Sequence, residues 1–169
     1  MTTVAENNAV EPIDLTSPEL YINRELSLLE FNRRVLAQSL EPHVPLLERL
    51  RYLCISCTNL DEFFEVRAAG VKQRLEHGST LLGYDDREPR ELLAEISRVA
   101  HGLVDEQYRI LNEMLIPQMQ SEGIRFLRRS EWDEAQRAWL RDFFEEQLLP
   151  VLSPLGLDPA HPFPRILNK

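Results

Sequence analysis

The densest mixture of apolar, acidic and amide side chains in this chain surrounds Asn59, in the stretch Thr58-Asn59-Leu60-Asp61-Glu62-Phe63-Phe64-Glu65-Val66-Arg67. An amide offers a donor and an acceptor together, and so does the edge of a nucleobase. Asn59 is therefore a candidate ligand contact. It also has a structural reading. Thr58 or Asn59, with Asp61 or Glu62 three residues on, has capping-box spacing. An Asn ahead of an amphipathic helix is ordinarily a cap. These ten residues alone do not decide between the two roles. Asp61 and Glu62 fit compensation of the helix dipole better than paired acid–base chemistry.

Other reactive types are scattered. Cys54 and Cys57 have CxxC spacing, but zinc needs about four ligands and there is no second cysteine pair. A thioredoxin-like pair would open a helix after a strand. These two lie within or at the end of a helical pattern, so they read as buried structural cysteines. His43, His77, His101 and His161 form no Ser–His–acid or HExxH arrangement, and there is no GxxxxGK[ST] loop. His161-Pro162-Phe163-Pro164 reads as a rigid extended turn. From residues alone, no complete active site is present.

Charge narrows the classes further. The 169 residues carry a net charge of −9. Nucleic-acid binding needs clustered cations, so it is not expected. Only Lys72 and Lys169 are lysine, which leaves arginine as the cation for any phosphate. No run of 18 apolar residues is present to make a transmembrane helix, and the N-terminus lacks a signal-peptide pattern. A cytoplasmic location is the default expectation.

The elements that would position Asn59 follow from apolar periodicity. Residues 1–16 read as a disordered tail. Ser27 and Glu30 have capping-box spacing, which predicts a first helix from Leu28 to about Leu40. Pro42 and Pro45 separate it from a second, about Leu46 to Cys57, with Leu46, Leu47, Leu50, Leu53 and Cys54 buried. A third helix, from about Leu60 to Glu76, would bury Leu60, Phe63, Phe64 and Val71 and stop at Gly78. Residues 77–83 read as a loop.

A long fourth helix, about Arg90 to Gln120, would present Leu93, Ile96, Ala100, Leu103, Val104, Tyr108, Leu111 and Leu115 as one seam. Pro117 should kink or fray its last turn. After Gly123 the pattern changes. Ile124–Leu127 alternates like a strand, and Ser130-Glu131-Trp132-Asp133 caps a fifth helix. The fold class is mainly α: an antiparallel helical bundle over 17–123, followed over 124–169 by the beginning of an α+β domain whose remainder is missing.

Four stretches carry a family resemblance: residues 21–36, Pro45–Leu50, Asn59–Arg67 and His161–Pro164. In that order the sequence resembles the N-terminal part of bacterial polyphosphate kinases of the first family. Leu28 stands where many members carry Trp. The resemblance implies an enzyme that reversibly transfers the terminal phosphate of ATP to inorganic polyphosphate. It implies Mg²⁺ and a phosphohistidine intermediate, with the catalytic and metal- and phosphate-binding residues in C-terminal domains outside this chain. Residues 124–169 would open a truncated middle (head) domain, and the fragment alone would be inactive. Asn59 is the one position onto which an ATP-binding residue of the family maps. ATP or ADP, polyphosphate, the enzyme's own C-terminal domains and further copies in a homo-oligomer are the implied partners. The resemblance leaves room for a peripheral place at the inner membrane. A helical scaffold or oligomerisation module with no ligand of its own is the alternative, and a thiol redox protein a weaker one.

Overall fold

The computed structural model describes residues 14–78, 82, 83, 85–160 and 162–164. Most of the expected N-terminal tail lies outside the described residues. Within its end, the Asp14 carboxylate accepts from the Thr16 N–H and hydroxyl at 2.9 and 2.7 Å. The chain divides into two compact units after Arg125. The described residues form helices and no strand.

Helix α1 spans Arg24–Ala37. Its cap is Asn23, whose side-chain oxygen accepts from the Leu26 N–H at 3.1 Å. The expected Ser27 cap is corrected by this. The Ser27 N–H already bonds the Asn23 carbonyl at 2.9 Å, one turn inside the helix. Asn23 satisfies the orphan donors earlier, and Arg24-Glu25-Leu26 continue the helix without a breaker.

The second correction matters more. Helix α2 spans Leu46–Glu62, passes into a π-helical turn at Phe63–Ala68, and continues as α3, Ala69–Glu76. Helices two and three of the sequence reading are one rod. Thr58 and Asn59 sit inside it and cap nothing. No Pro or Gly lies between Leu46 and Ala69 to interrupt the backbone ladder. The rod ends where expected, at Gly78 with φ 66°, a left-handed conformation that costs glycine little. Of the loop read over 77–83, residues 79–81 lie outside the described residues.

The third rod is built the same way: α4 at Pro89–Arg109, a π turn at Ile110–Leu115, and α5 at Ile116–Ser121. Gly123, at φ 83°, closes it. The Gly123 N–H bonds the Gln120 carbonyl, and the Ile124 N–H bonds the Met119 carbonyl at 2.8 Å. This is a Schellman end. It holds the start of the expected strand 124–127, and no partner strand stands beside it among the described residues.

Pro117 neither breaks nor frays the rod, because the π turn ahead of it makes room. The Ile116 N–H reaches back five residues to the Leu111 carbonyl. That wider step displaces the carbonyl against which the proline ring would clash.

The rods pack antiparallel in sequence. Glu25, Asn32 and Ser39 of α1 and its end meet Arg67, Ser56 and Arg49 respectively. Ser56 and Arg49 in turn meet Gln107 and Gln118. An antiparallel helical bundle is the architecture of this unit.

Its core contains Leu29, Leu36, Leu53, Leu60, Phe63, Val71, Leu92, Ile96, Leu103, Ile110, Leu115 and Met119, among others. Several positions depart from the expected seams. Leu47, Cys54, Phe64 and Tyr108 are exposed. Leu92 is buried where Leu93 is only partly so. Arg49 is also buried, because its guanidinium is satisfied. Nε donates to the Ser39 carbonyl at 2.7 Å and a terminal nitrogen to Gln118 Oε1 at 2.8 Å.

The unit after Arg125 contains α6, Glu134–Phe143, and a π turn at Phe144–Leu148. Asp133 caps α6 in a full capping box with Gln136, at 2.8 and 3.0 Å. Ser130 and Glu131 lie in a short 3-10 turn before it. Trp139 stacks on Phe143 at 5.2 Å between ring centroids.

Candidate functional site

Asn59 lies on the inner side of α2, at a pocket of about 280 Å³ bounded by α1 and the start of the π turn. Leu28, Phe31, Phe63 and Val66 supply apolar walls, and Asn32, Asn59, Glu62 and Arg67 supply polar groups. An apolar slot with a few placed polar groups is the usual form of a small-molecule site.

The amide of Asn59 is held from behind. Its Nδ2 donates to Asn32 Oδ1 at 3.3 Å. Asn32, buried on α1, donates its own Nδ2 to the Ser56 carbonyl at 2.9 Å. The Ser56 hydroxyl accepts from Gln107 Nε2 of α4 at 2.9 Å. A chain of polar groups thus runs from the core to the pocket wall, with each buried member bonded. Asn59 keeps its Oδ1 and a second N–H for the pocket.

The π turn sets the opposite wall. Along the rod, the core positions are Leu53, Ser56, Leu60, Phe63, Ala68 and Val71. The steps are three and four residues except between Phe63 and Ala68, where the step is five. An unbroken α-helix would bring Arg67 to the core instead. The wider turn places small Ala68 there and leaves Arg67 at the pocket. Glu25 of α1 pairs with Arg67 at 2.8 Å and fixes it, while the buried Arg67 Nε has no hydrogen-bond partner.

The other two π turns have a local cause. Each is followed, after one residue, by a proline, Pro117 or Pro150, and that intervening residue closes the five-residue bond. The turn at Phe63–Ala68 has no such proline. π turns concentrate at functional sites, and this one faces Asn59.

The remaining candidates do not converge here. Cys54 is exposed and Cys57 half-buried, and both are free thiols. The expected burial of Cys54 is corrected: it stands one residue beyond the core position Leu53. Burial, aided by neighbouring Cys54 and Asp61, pushes the Cys57 thiol above its ordinary range. That is opposite to the shift of a reactive thiol. His43, His77 and His101 lie outside the pocket lining. No group of three or more His, Cys, Asp or Glu residues that could hold a metal is found among the described residues. No helix there is long and apolar enough to cross a membrane. Sequence reasoning missed Asn32 and Arg67. The signal for Arg67 was the five-residue step between the apolar positions Phe63 and Ala68.

Fold and site together define a helical domain that presents a pocketed amide. The polyphosphate kinase N-terminal domain matches residues 21–127, and the polyphosphate kinase middle domain matches residues 135–169. The chain belongs to the polyphosphate kinase family. A polyphosphate kinase of Xylella fastidiosa (strain Temecula1) is 47% identical over 173 residues, covering 98% of this chain and 25% of that protein. One of Neisseria meningitidis serogroup B is 51% identical, covering 86% of this chain and 21% of that protein. The crystal structure of polyphosphate kinase from Porphyromonas gingivalis superposes with a TM-score of 0.72 at 28% identity, over 86% of this chain and 20% of that one. The chain therefore spans about a fifth to a quarter of the length of these relatives.

Proposed function

We propose that this chain is the nucleotide-contacting N-terminal portion of a polyphosphate kinase, an enzyme that reversibly transfers the terminal phosphate of ATP to inorganic polyphosphate. In this reading the Asn59 amide binds the base end of ATP. The observation that carries it is the pocketed amide itself, with an acceptor and a donor left over after its bond to Asn32. The loss of the cap role strengthens the reading, because a mid-helix Asn carries a propensity cost with no capping gain.

Mg²⁺, the phosphohistidine and the phosphate-binding arginines belong, in this proposal, to domains outside this chain. An acidic domain suits such a division, since phosphoryl transfer needs dense cations around the phosphates. The enzyme would act as a homo-oligomer.

The test is Asn59→Ala in a full-length polyphosphate kinase carrying this sequence. A base contact remote from the transferred phosphate is made about equally in ground and transition states, so its loss falls on KM. One neutral hydrogen bond is worth about 0.5–1.5 kcal/mol, or roughly 2- to 12-fold in KM for ATP. An unchanged KM for ATP would leave the domain as a scaffold.

A further inference from the structure

The geometry points to Asn32 as a positioning residue that fixes which end of the Asn59 amide meets the base, and so sets a preference for adenine over guanine. This rests on the reading of Asn59 as the base contact.

The argument starts from an acceptor that cannot change its role. The Ser56 carbonyl can only accept, and Asn32 Nδ2 donates to it at 2.9 Å. That bond fixes the orientation of the Asn32 amide, which is 4% exposed. Asn32 Oδ1 must then face Asn59. It accepts from Asn59 Nδ2 at 3.3 Å. Rotating the Asn59 amide by half a turn would set two carbonyl oxygens against each other with no proton between them. The pocket therefore meets one orientation of Asn59.

Base chemistry gives that orientation a consequence. On either edge that an amide can grip, adenine carries an amino donor at the position where guanine carries a carbonyl acceptor. A locked amide oxygen accepts from the adenine amino group. In the same pose it opposes the guanine carbonyl. An amide free to rotate would instead turn an N–H toward guanine and accommodate both bases. The discrimination thus depends on Asn32 through the orientation it imposes on the Asn59 amide.

The experiment compares ATP and GTP as phosphate donors in a full-length polyphosphate kinase carrying this sequence. Asn32→Leu, close in volume, removes the acceptor behind Asn59, and Asn32→Ala removes it while leaving space. Either should lower the ATP-over-GTP ratio of kcat/KM by roughly 2- to 12-fold, the worth of one neutral hydrogen bond, with the change in KM rather than kcat. Asn32→Asp should restore the ratio, because a protonated carboxyl can donate to the Ser56 carbonyl and still accept from Asn59. A purely structural role for Asn32 would lower stability without moving the ratio.

If both removals keep the ratio while Asn59→Ala raises KM for ATP, the positioning role is wrong and the base contact stands. If Asn59→Ala leaves KM for ATP unchanged, the underlying reading fails and this inference with it. Should neither removal fold, side-chain amide NMR on the unsubstituted 169-residue chain decides. One Asn59 Nδ2 proton should be protected from exchange, and equal fast exchange of both would overturn the proposal.

Discussion

At the scale of single residues, the chain separates side chains that are buried with a partner from those that only share a buried-looking period. Cys54 follows the apolar rhythm of Leu50 and Leu53, yet it is exposed, and Cys57 is the more enclosed thiol. Because the nucleophile is the thiolate, an alkylating reagent near neutral pH should label Cys54 well before Cys57. Cys57 should catch up only as pH rises above the ordinary thiol range. Peptide mapping by mass spectrometry over a time course reads this directly, and faster labelling of Cys57 would contradict its assigned surroundings. Asn59 was legible as a site candidate from residue type and from the family motif. Its partner Asn32 was not, because the bond joins positions 27 apart on different helices, and no local pattern encodes such a meeting. Arg49 shows the same limit. A charge on a helix reads as an outer face until its two acceptors on other segments are known.

At the scale of elements, the existence of the helices was legible and their ends were not. Ser27 was the expected cap of α1, and Asn23 is the observed one. Asn23→Ala should cost about 0.5–2 kcal/mol, whereas Ser27→Ala, inside the helix, should be neutral or slightly favourable. Denaturant unfolding of the two variants distinguishes them, and a larger loss for Ser27→Ala would restore the later start. The stop at Cys57 was misplaced for a different reason. Cap-like residues were read as a boundary although no Pro or Gly stood there to enforce one. The π turns escaped because three- and four-residue templates do not contain a five-residue step. Deleting Glu65 shortens the step from Phe63 to Ala68 to the four residues of a plain α-helix. The core seam should survive, with a thermal midpoint lowered by no more than about 2–4 °C for each kcal/mol lost. The pocket wall of Val66 and Arg67 is remade, so KM for ATP in the full-length enzyme should rise. Loss of the bundle on deletion would instead make the turn a requirement of folding.

At the scale of the whole molecule, the two units differ in what each encloses. Every buried apolar residue of the described chain lies between Leu29 and Met119. The second unit has its capped helix α6 and its stacked Trp139 and Phe143, but none of its described residues reaches the same burial. Opening free energies follow buried apolar contacts more closely than helical hydrogen bonds alone. Hydrogen exchange on the 169-residue chain should therefore show slow amides in α1, α2 and α4 and fast ones in α6, whatever the cap at Asp133 contributes. Equal protection of α6 would mean that this unit has a stabilising core of its own. The same asymmetry bears on activity. The first unit can hold a pocketed amide with its supporting network, because that network is anchored in a closed core. The described residues bring together no group of three or more His, Cys, Asp or Glu that could hold a metal, and phosphoryl transfer depends on such charge and its placement. One amide contact, without the phosphate clamp, supplies about 0.5–1.5 kcal/mol, far from the roughly 4 kcal/mol that even millimolar affinity requires. ATP titration of the 169-residue chain should thus give millimolar or weaker binding centred on Asn59, and no polyphosphate should accumulate. Synthesis of polyphosphate by this chain alone would overturn the division of labour between the amide-bearing bundle and the domains proposed to hold the phosphates.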